Sequence, residues 1–272
     1  MLQQLPRLDG LSLIINDSSK RFDHLVNCVS KLHNLRKLSF KFYHDDIDPS
    51  GSWSHTSCGP RINAVTKIIA ANPNLTHLEV MHSPIEDDIE IDLAQMLRHV
   101  PADRPLKLEH FHLSHSFRNS AALAPHIRSL TSADLPDSEI LEELLEQCIF
   151  PPTMTLRIIG QYTIEYLDRH PRIISLTTFY ACRELCTFMG ILSRHSDTLT
   201  HLGLSHWVFF DCIDQTQNEL ALLQCRNLKR LDLYYRSIMD TVTALELEMV
   251  CSAPNAPVTY AKHNVHRKQC CQ

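Results

Sequence analysis

Residues 72–80 read Asn72-Pro73-Asn74-Leu75-Thr76-His77-Leu78-Glu79-Val80, and the spacing of their aliphatic side chains decides how the rest of the chain is read. The same spacing returns in Leu5-x-x-Leu8-x-x-Leu11-x-Leu13, Leu32-x-x-Leu35-x-x-Leu38-x-Phe40, Leu108-x-x-Phe111-x-Leu113, Ile173-x-x-Leu176, Leu199-x-x-Leu202-x-Leu204 and Leu228-x-x-Leu231-x-Leu233. The residues between change freely. What repeats is therefore a structural unit and not a run of residues.

Taking the second aliphatic residue as anchor gives Leu11, Leu38, Leu78, Phe111, Leu176, Leu202 and Leu231, with steps of 27, 40, 33, 65, 26 and 29 residues by subtraction. The longest step is about two units, and weaker candidates inside it are Ile127-x-x-Leu130-x-x-Ala133-x-Leu135 and the strand-like Met154-Thr155-Leu156-Arg157-Ile158-Ile159. Steps of about 20–29 residues, with longer irregular variants, belong to leucine-rich repeats, whose short strand and returning helix bury a core only by stacking. Between the strands, residues 22–32, 62–71, 91–100, 140–149, 164–170, 184–193 and 219–223 carry apolar residues at helical i, i+3, i+4 spacing. Asn34, Asn74, Asp197 and Asn227 precede the strands, where Asn and Asp suit a tight turn, and Pro73 and Pro171 end the helix before it. The expectation is an α/β fold, a curved leucine-rich-repeat solenoid or horseshoe with parallel strands on the concave face and helices on the convex face. It spans residues 1–252 as one domain of about nine irregular repeats. An inserted loop is expected at 45–60 around Trp53, and a disordered basic tail at 253–272.

Composition narrows the function classes. Hydrophobic residues at 44% and charged residues at 21% are ordinary for a folded protein, and no apolar run reaches the roughly 18 residues of a membrane span. Only 6 glycines occur in 272 residues, against about 19 at the usual frequency. Phosphate-cradling glycine loops and the Gly-x-Ser-x-Gly nucleophile elbow are absent, so nucleotide chemistry and serine-hydrolase chemistry lose their usual signatures. The formal charge of -5, with basic residues scattered except in the tail, argues against a nucleic-acid partner. The ten cysteines are spread singly until Cys270-Cys271, and the start of the chain carries no secretion signal. They read as reduced thiols in an intracellular protein of the cytoplasm or nucleus.

Histidine is the one excess, 17 in all, and much of it keeps the repeat phase. Alternate residues of a strand share a face, so His77, His110, His112 and His201 point away from the buried anchors, and Arg230, Asp232 and Tyr234 end the same series. These seven are the candidate partner-binding residues. Two imidazoles at i, i+2, as in His110-x-His112, can share a metal, but no His-Glu-x-x-His helix accompanies them. The expectation is no catalytic centre, no cofactor and no stoichiometric metal. A protein partner would lie along the concave face, held with an affinity that changes between about pH 5 and 8 as imidazoles titrate.

The Leu-x-x-Leu-x-Leu phrases after Asn-x or Pro-x, the irregular steps and the scattered cysteines resemble the repeat region of fungal F-box/leucine-rich-repeat proteins. The resemblance covers roughly residues 2–250. In that family an F-box helix bundle docks on a Skp-type adaptor of a ubiquitin ligase while the repeats capture the substrate. No F-box precedes Leu5 here, so the resemblance implies adaptor binding only if such a segment lies upstream. What it implies for these residues is substrate or partner capture, without enzymatic activity. Two other readings stay open: a metal- or pH-responsive histidine-rich binding protein, and a truncated or degenerate paralogue with no retained partner.

Overall fold

A computed structural model describes residues 8–16, 22–43, 59–82, 91–101, 103–114, 117–181, 185–205, 224–235 and 259–264. The expected loop around Trp53, the helix expected at 219–223 and the terminal cysteine pair lie outside them, apart from Gly59 and Pro60, which open a helix. The chain divides into two compact units, Met1–Leu130 and Thr131–Gln272. The division falls inside the 65-residue step between the anchors Phe111 and Leu176.

In the first unit the strands are β1 (Gly10–Asn16), β2 (Lys37–Tyr43), β3 (His77–His82), β4 (Ile91–Asp92), β5 (His110–Leu113) and β6 (Phe117–Arg118). The helices are α1 (Phe22–Val29), α2 (Gly59–Ala71) and α3 (Leu93–Leu97), followed by a 3-10 helix at Ser120–His126. β1, β2, β3 and β5 pair in that order, all parallel, and the register places Leu11 opposite Leu38, Leu38 opposite Leu78, and Leu78 opposite Phe111. Leu38, Leu78 and Phe111 are buried, as are the residues two further on, Phe40, Val80 and Leu113. Leu35, Leu75 and Leu108, three before each anchor, are fully buried as well. The phrase Leu-x-x-Leu-x-Leu thus supplies three parallel rows of core. Leu11 departs from the expectation and is only half-buried, because β1 has a sheet neighbour on one side alone among the described residues. The expected helix at 91–100 is also shorter: Ile91 and Asp92 form β4 against β6, and the Asp92 carboxylate caps α3 by accepting from the Gln95 N–H at 3.0 Å.

In the second unit the strands are β7 (Ser132–Leu135), β8 (Thr153–Ile159), β9 (Ser175–Ala181), β10 (His201–Ser205), β11 (Arg230–Tyr235) and β12 (Thr259–Asn264), with helices α4 (Glu139–Glu146), α5 (Gln161–Arg169) and α6 (Leu185–Arg194). All five adjacent pairs are parallel, and Ala133, Met154, Leu176, Leu202 and Leu231 stand in one register row. All five are buried. The 65-residue step therefore contains two further strands of this ladder, those of the weaker candidates Ala133 and Met154. The tail expected to be disordered contributes β12, whose Tyr260 stands opposite Leu231, so the polar run 259–264 closes a ladder that its composition did not suggest. Each helix buries one stripe: Val65, Ile68 and Ile69 on α2, Ile140, Leu141 and Leu144 on α4, and Phe188, Met189, Ile191 and Leu192 on α6. Neighbouring helices pack on one another within each unit. No helix among the described residues is long and apolar enough to cross a membrane.

The turns from helix to strand are held by buried polar side chains. Asn72 is fully buried; its Oδ1 accepts from the Leu35 N–H at 3.0 Å and its Nδ2 donates to the Ile68 carbonyl at 2.9 Å. Histidine does the same work elsewhere. His126 Nδ1 accepts from the Leu106 N–H at 3.0 Å, and His195 Nε2 donates to the Leu167 carbonyl at 3.1 Å. His170 Nδ1 accepts from the Arg172 N–H, which leaves the proton on Nε2, and that donates to the Pro151 carbonyl at 3.0 Å. Asn72→Ala leaves the Leu35 amide buried and unpaired, so unfolding in urea should show a loss of about 1–3 kcal/mol. A loss near zero would mean that the amide finds another partner.

Scarce glycine shows at the end of α4. Ile149 N–H returns to the Leu144 carbonyl and Cys148 N–H to the Leu145 carbonyl, the paired bonds of a helix terminus that needs a left-handed residue between. Cys148 fills that place at φ 53°, where glycine is the usual occupant.

Candidate interaction face

The seven residues singled out by the repeat phase fall into two groups, one in each unit. In the first unit, alternation along β3 and β5 buries Leu78, Val80, Phe111 and Leu113 and turns His77, Glu79, His110 and His112 to the other side. Register sets His77 beside His110 and Glu79 beside His112. The His77 and His110 rings lie 5.6 Å apart at an interplanar angle of 33°, and His110 Nε2 is 3.8 Å from Glu79 Oε1. Burial pushes the His110 pKa below the ordinary imidazole value, Glu79 partly opposing and the His77 ring adding to the effect. At neutral pH His110 is therefore an uncharged ring, with one donor and one acceptor. His77, Glu79 and His110 border a recess of about 510 Å³ that also reaches Ser12 on β1 and Lys37 and Ser39 on β2. Among the described residues no three His, Cys, Asp or Glu side chains come together in a way that could hold a metal ion.

In the second unit, His201 stands opposite Ser175 on one side and Arg230 on the other. Its Nε2 donates to Asp232 Oδ2 at 2.6 Å, which leaves Nδ1 to accept from the Ser175 hydroxyl at 3.1 Å. Arg230 Nε reaches both carboxylate oxygens of Asp232, at 3.0 and 2.9 Å. Asp232 was expected at the outward surface, but it is 1% exposed because His201 and Arg230 close over it. On the other side of β10 a Cβ at Gly203 would come within 2.7 Å of Thr177 Oγ1, so only glycine lets Thr177 lean across from the neighbouring strand. Tyr234 packs on Phe179 with centroids 5.0 Å apart, and burial, with Asp232 adding and Arg230 opposing, raises its hydroxyl pKa.

Ser175, His201 and Asp232 have the residue types of a nucleophilic triad and are joined by these hydrogen bonds. Arg230 already answers the Asp232 charge, and the Ser175 and His201 amides are spent on the Pro152 and Ile174 carbonyls. Neither of these two amides is thereby free to face an oxyanion. Two outward features escaped the sequence reading. Phe179 lies two residues past Thr177 and would have been found by carrying the alternation one step further. The ion pair of Arg157 with Asp134, at 3.5 Å, sits on β8 and β7, whose register the irregular sequence of 131–160 hides.

No protein-family model matches this chain, and no curated protein matches it either. The geometry of the two faces therefore carries the functional argument.

Proposed function

We propose that the chain is a non-enzymatic protein-binding module of leucine-rich-repeat type, a solenoid whose outward strand residues hold a segment of another protein. The observation behind it is the division of labour along each strand. Leu78, Val80, Phe111, Leu202 and Leu231 carry the core, while His77, Glu79, His110, His112, His201, Arg230 and Tyr234 are only partly covered and mix hydrogen-bonding rings, charge and an aromatic pair. Such residues can vary without disturbing the fold, and Arg and aromatic side chains are enriched where proteins meet. The repeat phrase further supports the role of a substrate-recognition region of an F-box-type ubiquitin ligase receptor, with a Skp-type adaptor as partner only where an F-box segment is joined to it.

Affinity capture tests the reading. Bait carrying His77→Ala, His110→Ala, His112→Ala, His201→Ala and Tyr234→Ala together should lose the proteins that wild-type bait retains, at an unchanged circular dichroism spectrum. An unchanged set of captured proteins from a folded variant would overturn these faces as the binding surface and leave residues 45–60 as the next candidate.

A further inference from the structure

The outward hydrogen bonds of the second unit join a serine hydroxyl to a base and that base to a buried acid. Ser175 on β9 and His201 on β10 are register partners, both half-buried, and Asp232 lies on β11, diagonally past His201. Asp232 Oδ2 accepts the His201 Nε2–H at 2.6 Å, which turns the Nδ1 lone pair onto the Ser175 hydroxyl at 3.1 Å. Arg230 Nε, within 3.0 Å of both carboxylate oxygens, supplies the cation that so deeply buried a carboxylate requires. Asp232 thus fixes the tautomer and orientation of the ring. Ser30 and Ser193 differ: their hydroxyls donate to the Asn27 and Gly190 carbonyls, which cannot carry a proton away.

A hydroxyl whose proton has a positioned base is a nucleophile, and a base oriented by a third group keeps the form that the attack needs. Among the described residues the Ser175 hydroxyl has no partner besides His201. The Ser175 and His201 amides, bonded to the Pro152 and Ile174 carbonyls, lend nothing to an oxyanion. That shortage weighs unequally on the two halves of acyl transfer. Attack on an ester with a good leaving group starts from an activated carbonyl. Water must then attack the plain alkyl ester of serine, and this half needs the missing donors more.

We infer that Ser175 is an acyl-acceptor site: it takes an acyl group from an activated ester, one whose leaving group is an aryloxide or a thiolate, and keeps it. Ser175 Oγ forms the bond to the acyl carbon while its proton passes to His201 Nδ1. The bond to the leaving group breaks, and the departing anion takes that proton. Nothing is oxidised or reduced, and His201 and Asp232 end as they began. The site is a place of modification and not a turnover centre, and it does not depend on the binding of a protein segment. Reaction of the full chain with p-nitrophenyl acetate tests it, with nitrophenolate absorbance to time the reaction and peptide mass mapping to locate the acetyl group. Ser175 should be acetylated about a hundredfold or more faster than Ser30 and Ser193 of the same chain, the scale of a positioned general base. Nitrophenolate release should level off once each chain has reacted. His201→Gln, at a half-exposed position, should slow Ser175 by a similar factor and remove the titration from its pH profile, at the wild-type unfolding midpoint. Ser175→Ala should abolish the fast phase and leave the slow labelling of the other serines as it is. Acetylation spread evenly over Ser175, Ser30 and Ser193, or a Ser175 rate unchanged in folded His201→Gln, would overturn the relay. Continuous release that disappears in Ser175→Ala would overturn the stalled acyl-serine.

Discussion

Leu78→Ala should lower the free energy of unfolding by about 2–5 kcal/mol, read from urea denaturation at neutral pH with an unchanged slope. Leu78 is fully buried and stands in register between Leu38 and Phe111, so its truncation opens a cavity that neither neighbouring strand can fill without breaking its own row. Leu11→Ala removes the same atoms from the half-buried end of that row and should cost distinctly less. Equal losses at the two positions would mean that the register row is not the unit of packing.

Acid should destabilise the second unit, with His170 as a principal cause. Burial holds its pKa down to about 4, the Pro151 carbonyl opposing and the neighbouring His195 adding to the effect. The unfolded chain returns the imidazole to its ordinary value near 6.5. The unfolded state then takes up the proton first as pH falls, so stability is complete above about 6.5 and is lost progressively down to about 4. The loss reaches about 3 kcal/mol at 1.36 kcal/mol per pKa unit. Burial depresses His195 in the same unit and His126 in the first, so both steepen the fall in their own surroundings. His170→Gln keeps a donor for Pro151 but cannot titrate there. Its urea midpoint should therefore move less between pH 7 and pH 4.5 than that of the wild type. Parallel pH profiles for the two proteins would assign the acid sensitivity to other groups.

The two kinds of residue were not equally legible. The rows Leu38–Leu78–Phe111 and Leu176–Leu202–Leu231 could be read from spacing alone, because a parallel ladder repeats its burial pattern at every strand. Ala133 and Met154 were read only weakly: a small residue and a flexible one occupy a leucine place, and periodicity registers size and branching before position. β12 could not be read because its ladder is made by backbone groups, which Thr259 to Asn264 possess as fully as any hydrophobic run. On the outward face, alternation found which side His77, His110 and His201 take, but not that His201 and Arg230 would cover Asp232, since contacts across strands depend on diagonal reach. Nor did it separate outward histidines from those at helix ends. His126, His170 and His195 serve backbone groups that only the fold brings within reach.

Those backbone partners also impose an order in time. Leu35 waits for Asn72, 37 residues later; Pro151 for His170, 19 later; Leu167 for His195, 28 later. In each case the earlier backbone group leaves the ribosome before the side chain that completes it. At about 5–20 residues per second the Pro151 carbonyl stays unanswered for roughly 1–4 s. A nascent chain halted at Arg169 would hold every residue of α5 and still lack the group that fastens its end. Productive fragments of this protein should therefore stop just beyond Asn72, His126, His170 or His195, and never just short of them.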